Sequence, residues 1–170
     1  VTLVDSTGII HRDRSDLTAV KSAMLDTTNP DNIQGGIADA MRGADVFIGL
    51  SAADAVTPEM VSSMAKDSIV FAMANPIPEI WPEVARAAGA AVVGTGRSDF
   101  PNQINNSLVF PGVFRGALDS NATRVTTRMK LAAANALAAL IKEPTRENVI
   151  PWSLDRQVAQ TVAQAVSEAA

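Results

Sequence analysis

The sequence predicts an α/β fold, a doubly wound parallel sheet with further helices at its C-terminal end. Three observations predict it. Short apolar runs alternate with stretches of helical periodicity, the order from which strand–helix–strand units build a parallel sheet. The runs at 45–51, 68–75 and 90–96 are apolar at successive positions, the pattern of strands covered on both faces. Helix start and stop residues stand where this alternation places helix ends.

The elements follow in order. VTLVD (1–5) reads as a strand ending in an acid. SDLTAVKSAML (15–25) reads as a helix capped by Ser15, with Leu17, Val20, Met24 and Leu25 at helical spacing. NIQGGIADAMRG (32–43) is a second helix, stopped by Gly43. DVFIGLS (45–51) is a strand, and Thr57-Pro58-Glu59 starts the helix 58–66 with a cap, a proline and an acid. SIVFAMAN (68–75) is the next strand, Pro78-Glu79 opens a helix reaching Gly89, and AAVVGTG (90–96) closes the sheet. Beyond Gly96 the chain turns rich in Pro, Asn and Gly before becoming helical towards 119. Two long helices finish it, 126–142 and 153–170, the latter with an apolar stripe at Val158, Val162 and Val166.

Composition narrows the function. With 170 residues, at roughly 150 per domain, one domain is expected. Fourteen Lys and Arg against eighteen Asp and Glu give a net charge of −4, so no basic excess is offered to a phosphate backbone and nucleic acid is not an expected partner. The 47% apolar and 19% charged residues are a globular balance. There is no Cys, hence no disulfide, thiolate metal site or cysteine nucleophile, which fits a reducing, cytoplasmic setting. No apolar run nears the ~18 residues of a membrane span, no signal-peptide pattern opens the chain, and no membrane partner is expected. Tyr is absent and His11 is the single His, so acid–base chemistry within this chain falls to Asp, Glu, Lys or His11.

In an open parallel sheet, ligands bind beyond the carboxyl ends of the strands. Asp5 ends the first run, Ser51 the second, Asn75 the third and Gly94-Thr95-Gly96 the fourth. An acid at the end of the second strand of a dinucleotide-binding sheet accepts the adenosine ribose hydroxyls; the other reading of Asp5 is an Asx turn with Thr7-Gly8. Ser51, Ala52 and Ala53 are small enough for close approach of a ribose or diphosphate, or form a plain turn. The Asn75 carboxamide suits a nicotinamide amide or a substrate carboxylate, or ties down the Pro76–Pro78 turn. Asn102, Gln103, Asn105 and Asn106 form a carboxamide cluster suited to orienting a carboxylate, or to caps and turns. Arg97 and Arg115 are candidate anion clamps or surface ion-pair partners, and His11 reads as a surface or helix-start residue.

No G-x-G-x-x-G occurs anywhere in the chain; Asp99 stands where the third glycine after Gly94 and Gly96 would be. That loop follows the first strand of a dinucleotide fold, about 20 residues ahead of the ribose acid. Only four residues precede Asp5. If Asp5 is the ribose acid, the first strand and its phosphate loop belong upstream of Val1.

DSTGIIHRDR (5–14), ADVFIGLSAADAVTPEMV (44–61), FAMANPIPEIWPE (71–83), GTGRSDFPNQINNSLVFPGVFRGALD (94–119) and MKLAAANALA (129–138) lie in the order found in bacterial-type malic enzymes. The chain resembles the C-terminal, dinucleotide-binding portion of that family over essentially its whole length, with 94–119 the most diagnostic run. The resemblance implies a Rossmann-like domain spanning 1–170, N-terminally incomplete and lacking the first strand and the Gly-rich loop. It implies a complete enzyme that converts L-malate to pyruvate and CO2 while reducing NAD or NADP, with Mg or Mn as Lewis acid. In the family the Lys and Tyr of acid–base catalysis and the metal carboxylates lie ahead of the Gly-rich loop, so no catalytic or metal residue is expected in this chain. By the same resemblance, Asp5, Ser51, Ala52, Asn75 and Asn105 are expected to bind cofactor, and Asn75 and Asn106 substrate. An upstream catalytic domain and a homo-oligomer are the partners it implies. The acid at Asp5 favours NAD, while Arg12 and Arg14 nearby temper the repulsion of a 2′-phosphate.

Two consequences are expected physically. Without its central neighbour, VTLVD does not pair with DVFIGLS and strand edges are left open. Without the Gly-rich loop, the isolated chain binds dinucleotide weakly. The competing reading is a non-catalytic, degenerate module of the same fold that serves assembly or regulation. An amino-acid dehydrogenase domain is a third, disfavoured by the FPNQINN…FPGVFRGALD run.

Overall fold

A computed structural model describes residues 1–170. The chain opens with a short antiparallel hairpin, β1 (Val4–Asp5) against β2 (Gly8–Ile9). The Asp5 carboxylate accepts the Thr7 N–H at 2.9 Å, the Asx turn that competes with a longer strand. The expected strand over 1–5 is therefore a two-residue arm that pairs with the turn following it and with no strand of the main sheet. Ile9 N–H donates to the Gly35 carbonyl and Asn29 N–H to the Val1 carbonyl, tying the hairpin to the 29–36 segment. Asn29 is fully buried there, donating to the Ile10 and Ile33 carbonyls and accepting the Ile33 N–H.

The next two helices are shorter than the periodicity suggests. α1 (Ala19–Met24) is capped by Thr18, whose hydroxyl accepts the Lys21 N–H, rather than by Ser15. The residues ahead of it are held by Arg14, which bridges Asp5 and Asp16. α2 (Ile37–Met41) starts at Gly36 because Asn32 and Gly35 adopt left-handed backbone, with φ of +52° and +118°, which a helix cannot contain.

The sheet follows as β3 (Val46–Gly49), α3 (Pro58–Ser62), β4 (Ile69–Ala72), α4 (Pro82–Ala87) and β5 (Val92–Thr95), all strands parallel and in the order β3-β4-β5. Val46, Ile69 and Val92 lie level at one end, and Gly49, Ala72 and Thr95 level at the carboxyl end. Thr57 caps α3 and Pro58 opens it, as expected. α4 begins at Pro82, not at Pro78-Glu79; the 78–80 stretch is a buried, bent, non-helical segment instead. Val70, Ala72 and Val93 face a core closed by Met41, Val61, Met64, Ile80 and Ala85, so α2, α3 and α4 share one face of the sheet. Full burial of such a Val is worth about 1.5–3 kcal/mol. Coverage of the other face is incomplete: Val46 and Ile48 of the edge strand β3 are 46% and 59% exposed, where the apolar run predicts strands covered on both sides.

The C-terminal part forms a second core. α5 (Phe110–Asp119), α6 (Thr127–Ala139) and α7 (Arg156–Glu168) close over Leu108, Met129, Ala133, Val158, Val162 and Val166, the last three being the expected stripe. Gly112 and Gly116 bring the α5 backbone against α7; a methyl built on Gly112 would lie 2.6 Å from Val162 Cβ. The two cores are joined through Asn102. Its amide donates to the Val93 and Arg146 carbonyls, and its oxygen accepts the Val149 N–H.

Candidate functional site

Because Gly49, Ala72 and Thr95 end their strands level, the residues just beyond them share one edge of the sheet. Glu79 stitches the first two ends together. Its side chain is fully buried, and its Oε1 accepts the Ser51 N–H at 2.7 Å and the Ser51 hydroxyl at 3.3 Å. Its Oε2 accepts the Ala74 N–H at 3.0 Å. Backbone bonds from Asp54 N–H to the Pro78 carbonyl and from Val56 N–H to the Glu79 carbonyl clamp the same stretch onto the loop after β3.

Arg97 closes the other side. It donates to the Pro76 carbonyl at 3.0 Å, pairs with Asp99, and lies over the Trp81 ring at 5.3 Å. The Asp99 carboxylate beside it raises the Arg97 pKa, and Arg97 in turn lowers that of Asp99. The 103–106 segment runs on from β5, with Ile104 N–H donating to the Thr95 carbonyl at 2.8 Å. Asn105 caps the single 3-10 turn Asn106–Leu108 by accepting the Ser107 N–H.

Hydrogen bonds, together with the Ala74-Asn75-Pro76 main chain, thus link Ser51, Glu79, Ala74, Pro76, Arg97, Thr95 and Ile104. Of the candidate residues, Ser51, Asn75 and Asn105 sit on or next to that network, the exposed Ala52 directly follows Ser51, and the exposed Asn106 lies two residues beyond Ile104. Ser51 and Asn75 are solvent-exposed; the Ser51 hydroxyl donates to Glu79, while the Asn75 carboxamide is open to a ligand. Asn102 does not belong to this set, since all its polar atoms are spent inside the protein, and Gln103 is engaged by the Ser153 hydroxyl. Arg115 is paired with Asp119 one helical turn on, the ion-pair outcome. His11 is half-buried, accepting the Asp13 N–H through Nδ1.

Asp5 stands apart. No hydrogen bond joins its hairpin to the sheet, and its carboxylate is already satisfied by Thr7, by two nitrogens of Arg14 at 2.9 and 3.1 Å, and by the Lys21 ammonium. The Arg14 guanidinium, then Lys21 and the Thr7 amide, hold its pKa far below the usual carboxylate range. Asp16, on the far side of Arg14, is lowered for the same reason, and the Arg14 pKa is raised by Asp16 and Asp5.

Sequence reading missed Glu79 by assigning it to a helix start. Its signal was an acid inside the otherwise apolar and proline-rich stretch 76–82. No three His, Cys, Asp or Glu side chains converge into a group able to hold a metal ion.

Comparison with known proteins gives this arrangement a context. The family model for the malic enzyme NAD binding domain matches residues 1–170. A bifunctional malic/malolactic enzyme of Bacillus subtilis is 54% identical over 173 aligned positions, covering 100% of this chain and 42% of that protein. An NAD-dependent malic enzyme of Geobacillus stearothermophilus is 50% identical, covering 98% of this chain and 35% of that protein. The crystal structure of an NAD-dependent malic enzyme from Thermotoga maritima superimposes with a TM-score of 0.94 at 40% identity, over 99% of this chain and 45% of that one. The chain therefore spans less than half the length of these relatives.

Proposed function

The chain belongs to the malic enzyme family as its NAD-binding domain, and we propose that it supplies the dinucleotide half of an enzyme that oxidises L-malate and decarboxylates it to pyruvate and CO2. Relatives named as NAD-dependent and as NADP-dependent both match it. The bound dinucleotide supplies the hydride acceptor. One observation carries the reading: the hydrogen-bonded edge that presents exposed Ser51, Ala52 and Asn75 beside the Asn105-Asn106 turn at the level ends of three parallel strands. In a sheet of this kind that edge is where a ligand lies. The donor set fits the group. A hydroxyl and carboxamides bind an uncharged nicotinamide amide and a carboxylate without titrating.

In this reading Ser51, Ala52, Asn75 and Asn105 face the cofactor, Asn75 and Asn106 the substrate, and Asp5 the adenosine ribose. Mg or Mn, and the Lys, Tyr and carboxylates of the chemistry, come from the catalytic domain that accompanies this one. The apolar residues left open, Val46 and Ile48 on β3 and Phe110, Phe114 and Leu118 along α5, support such an intramolecular neighbour or a second subunit. The test is turnover by the complete enzyme carrying this domain: L-malate-dependent reduction of NAD or NADP with release of pyruvate. Failure to reduce either dinucleotide with malate would overturn the assignment.

A further inference from the structure

Glu79 is the one fully buried acid of the chain, and no Lys, Arg or His side chain pairs with it. Its three hydrogen bonds come from two groups at the end of β3 and one at the end of β4. Burying a carboxylate carries a large desolvation penalty, offset here only by those bonds. A Gln or a hydrophobic residue would fill the space with less penalty, so the carboxylate is there for what it holds. The groups it holds are the amide of Ser51 itself and the amide immediately before Asn75. β3 contributes to the arrangement by ending in Gly49, whose missing side chain leaves the room the carboxylate occupies.

We propose that Glu79 is a positioning residue: it sets the distance and orientation between Ser51 and Asn75, and through them the placement of the nicotinamide end of the dinucleotide against the substrate. The inference rests on the function proposed above and adds the group that aligns its site. Glu79 does not touch the reacting atoms. It acts through Asn75, whose peptide it anchors at Ala74. Misplacing a site residue by about an ångström is enough to cost up to 100-fold in rate.

The test uses the complete enzyme. Glu79→Gln can keep an oxygen towards Ser51 but turns an NH2 donor on the Ala74 N–H, releasing the β4 end selectively. Expected is an increase of about tenfold in the KM for malate, with faster amide hydrogen exchange at Ala74 than at Ser51. In the Asn75→Ala background, Glu79→Gln should add less than about twofold, since the residue it positions is gone. Glu79→Asp, whose shorter arm reaches only one strand end, should not restore the KM. Faster exchange with an unchanged KM would make Glu79 purely structural and overturn the inference, as would effects of Glu79→Gln and Asn75→Ala that multiply. If the unmodified enzyme does not oxidise malate, the proposed function fails by itself. The positioning role is then read from calorimetric dinucleotide affinity, and a Glu79→Gln enzyme that binds as tightly as the unmodified one overturns it.

Discussion

A methyl group built on Gly49 would fall 2.5 Å from Glu79 Cδ, inside any tolerable contact, so the last residue of β3 and the buried acid of the 78–80 stretch occupy one space. The carboxylate cannot retreat without giving up its bonds to Ser51 and Ala74. Gly49→Ala should therefore destabilise the domain by about 1–3 kcal/mol, the usual cost of overpacking a filled interior. Denaturant unfolding measures it. A stability unchanged within about 0.5 kcal/mol would show that Glu79 moves freely.

The α5–α7 contact makes the same kind of demand on backbone. At Gly116 a methyl would meet the Ala163 carbonyl oxygen and lie 2.8 Å from Val166 Cβ. Ala is favoured over Gly inside a helix by about 1 kcal/mol, which works against the clash. Steric cost wins here because the obstacle is main chain. Gly116→Ala should lower stability by about 1–3 kcal/mol, whereas Ala134→Gly, on the exposed side of α6, should cost only the propensity difference of about 1 kcal/mol. Thermal and denaturant unfolding of both variants distinguish the two effects.

What could be read from residues alone was governed by how local the determinants are. The three parallel strands, the Thr57-Pro58 helix start and the Val158-Val162-Val166 stripe are written in short-range patterns, and the structure has them in place. The strand ends ahead of Ser51 and Asn75 were legible to within two or three residues, the strands closing at Gly49 and Ala72. The 1–5 run was not, because an Asx turn at Thr7 and the Arg14 ion pair, both side-chain events, overrule its β propensity. Glu79 was hidden by its setting. Pro followed by Glu is a strong helix-start signal, and only contacts from residues 28 and 5 positions away turn it into a buried clamp. Asn102 looked like a neighbour of Asn105 and Asn106, yet two of its three partners lie 44 and 47 positions away.

Asp5 makes stability depend on pH in a definite direction. Its folded pKa is depressed below the ordinary 3.8, chiefly by Arg14 and then Lys21. The unfolded chain therefore binds the proton more readily, and the ion pairs contribute in full above about pH 4 and lose their contribution as pH falls below that. Asp5→Asn should be less stable than the unmodified chain near pH 6, and the gap should narrow steadily as pH is taken from about 4 towards 2. Urea unfolding at several pH values checks it. A gap that stays constant would mean that the Asp5 charge contributes nothing.

The sequence has no G-x-G-x-x-G, so no glycine-rich loop of this chain places a helix N-terminus at the diphosphate. The residues that remain at the sheet edge are a hydroxyl, small side chains and carboxamides, which orient a ligand more than they attract its charge. Titrating the 170-residue chain alone with NAD in a calorimeter should give a Kd weaker than about 1 mM, under roughly 4 kcal/mol of binding free energy. A micromolar Kd would show that the strand ends suffice.

Choice between NAD and NADP should turn on Lys21. An acid at the ribose position rejects a 2′-phosphate when its charge is bare, but the Asp5 carboxylate is covered by Arg14 and Lys21, and Arg14 is shared with Asp16. Two acids and two bases leave this cluster with no formal net charge. Arg14 is nearly buried and committed to both carboxylates, whereas the Lys21 side chain is 37% exposed and keeps donors that Asp5 does not use. In the function proposed here, a 2′-phosphate would meet the Lys21 ammonium. The complete enzyme should then use NADP within about tenfold of NAD in kcat/KM, a difference of about 1.4 kcal/mol. Removing that cation in Lys21→Ala bares part of the Asp5 charge, and the ratio should move towards NAD by about another tenfold. Steady-state kinetics with both dinucleotides measure the shift. A ratio that Lys21→Ala leaves unchanged would place discrimination elsewhere than at the Asp5 cluster.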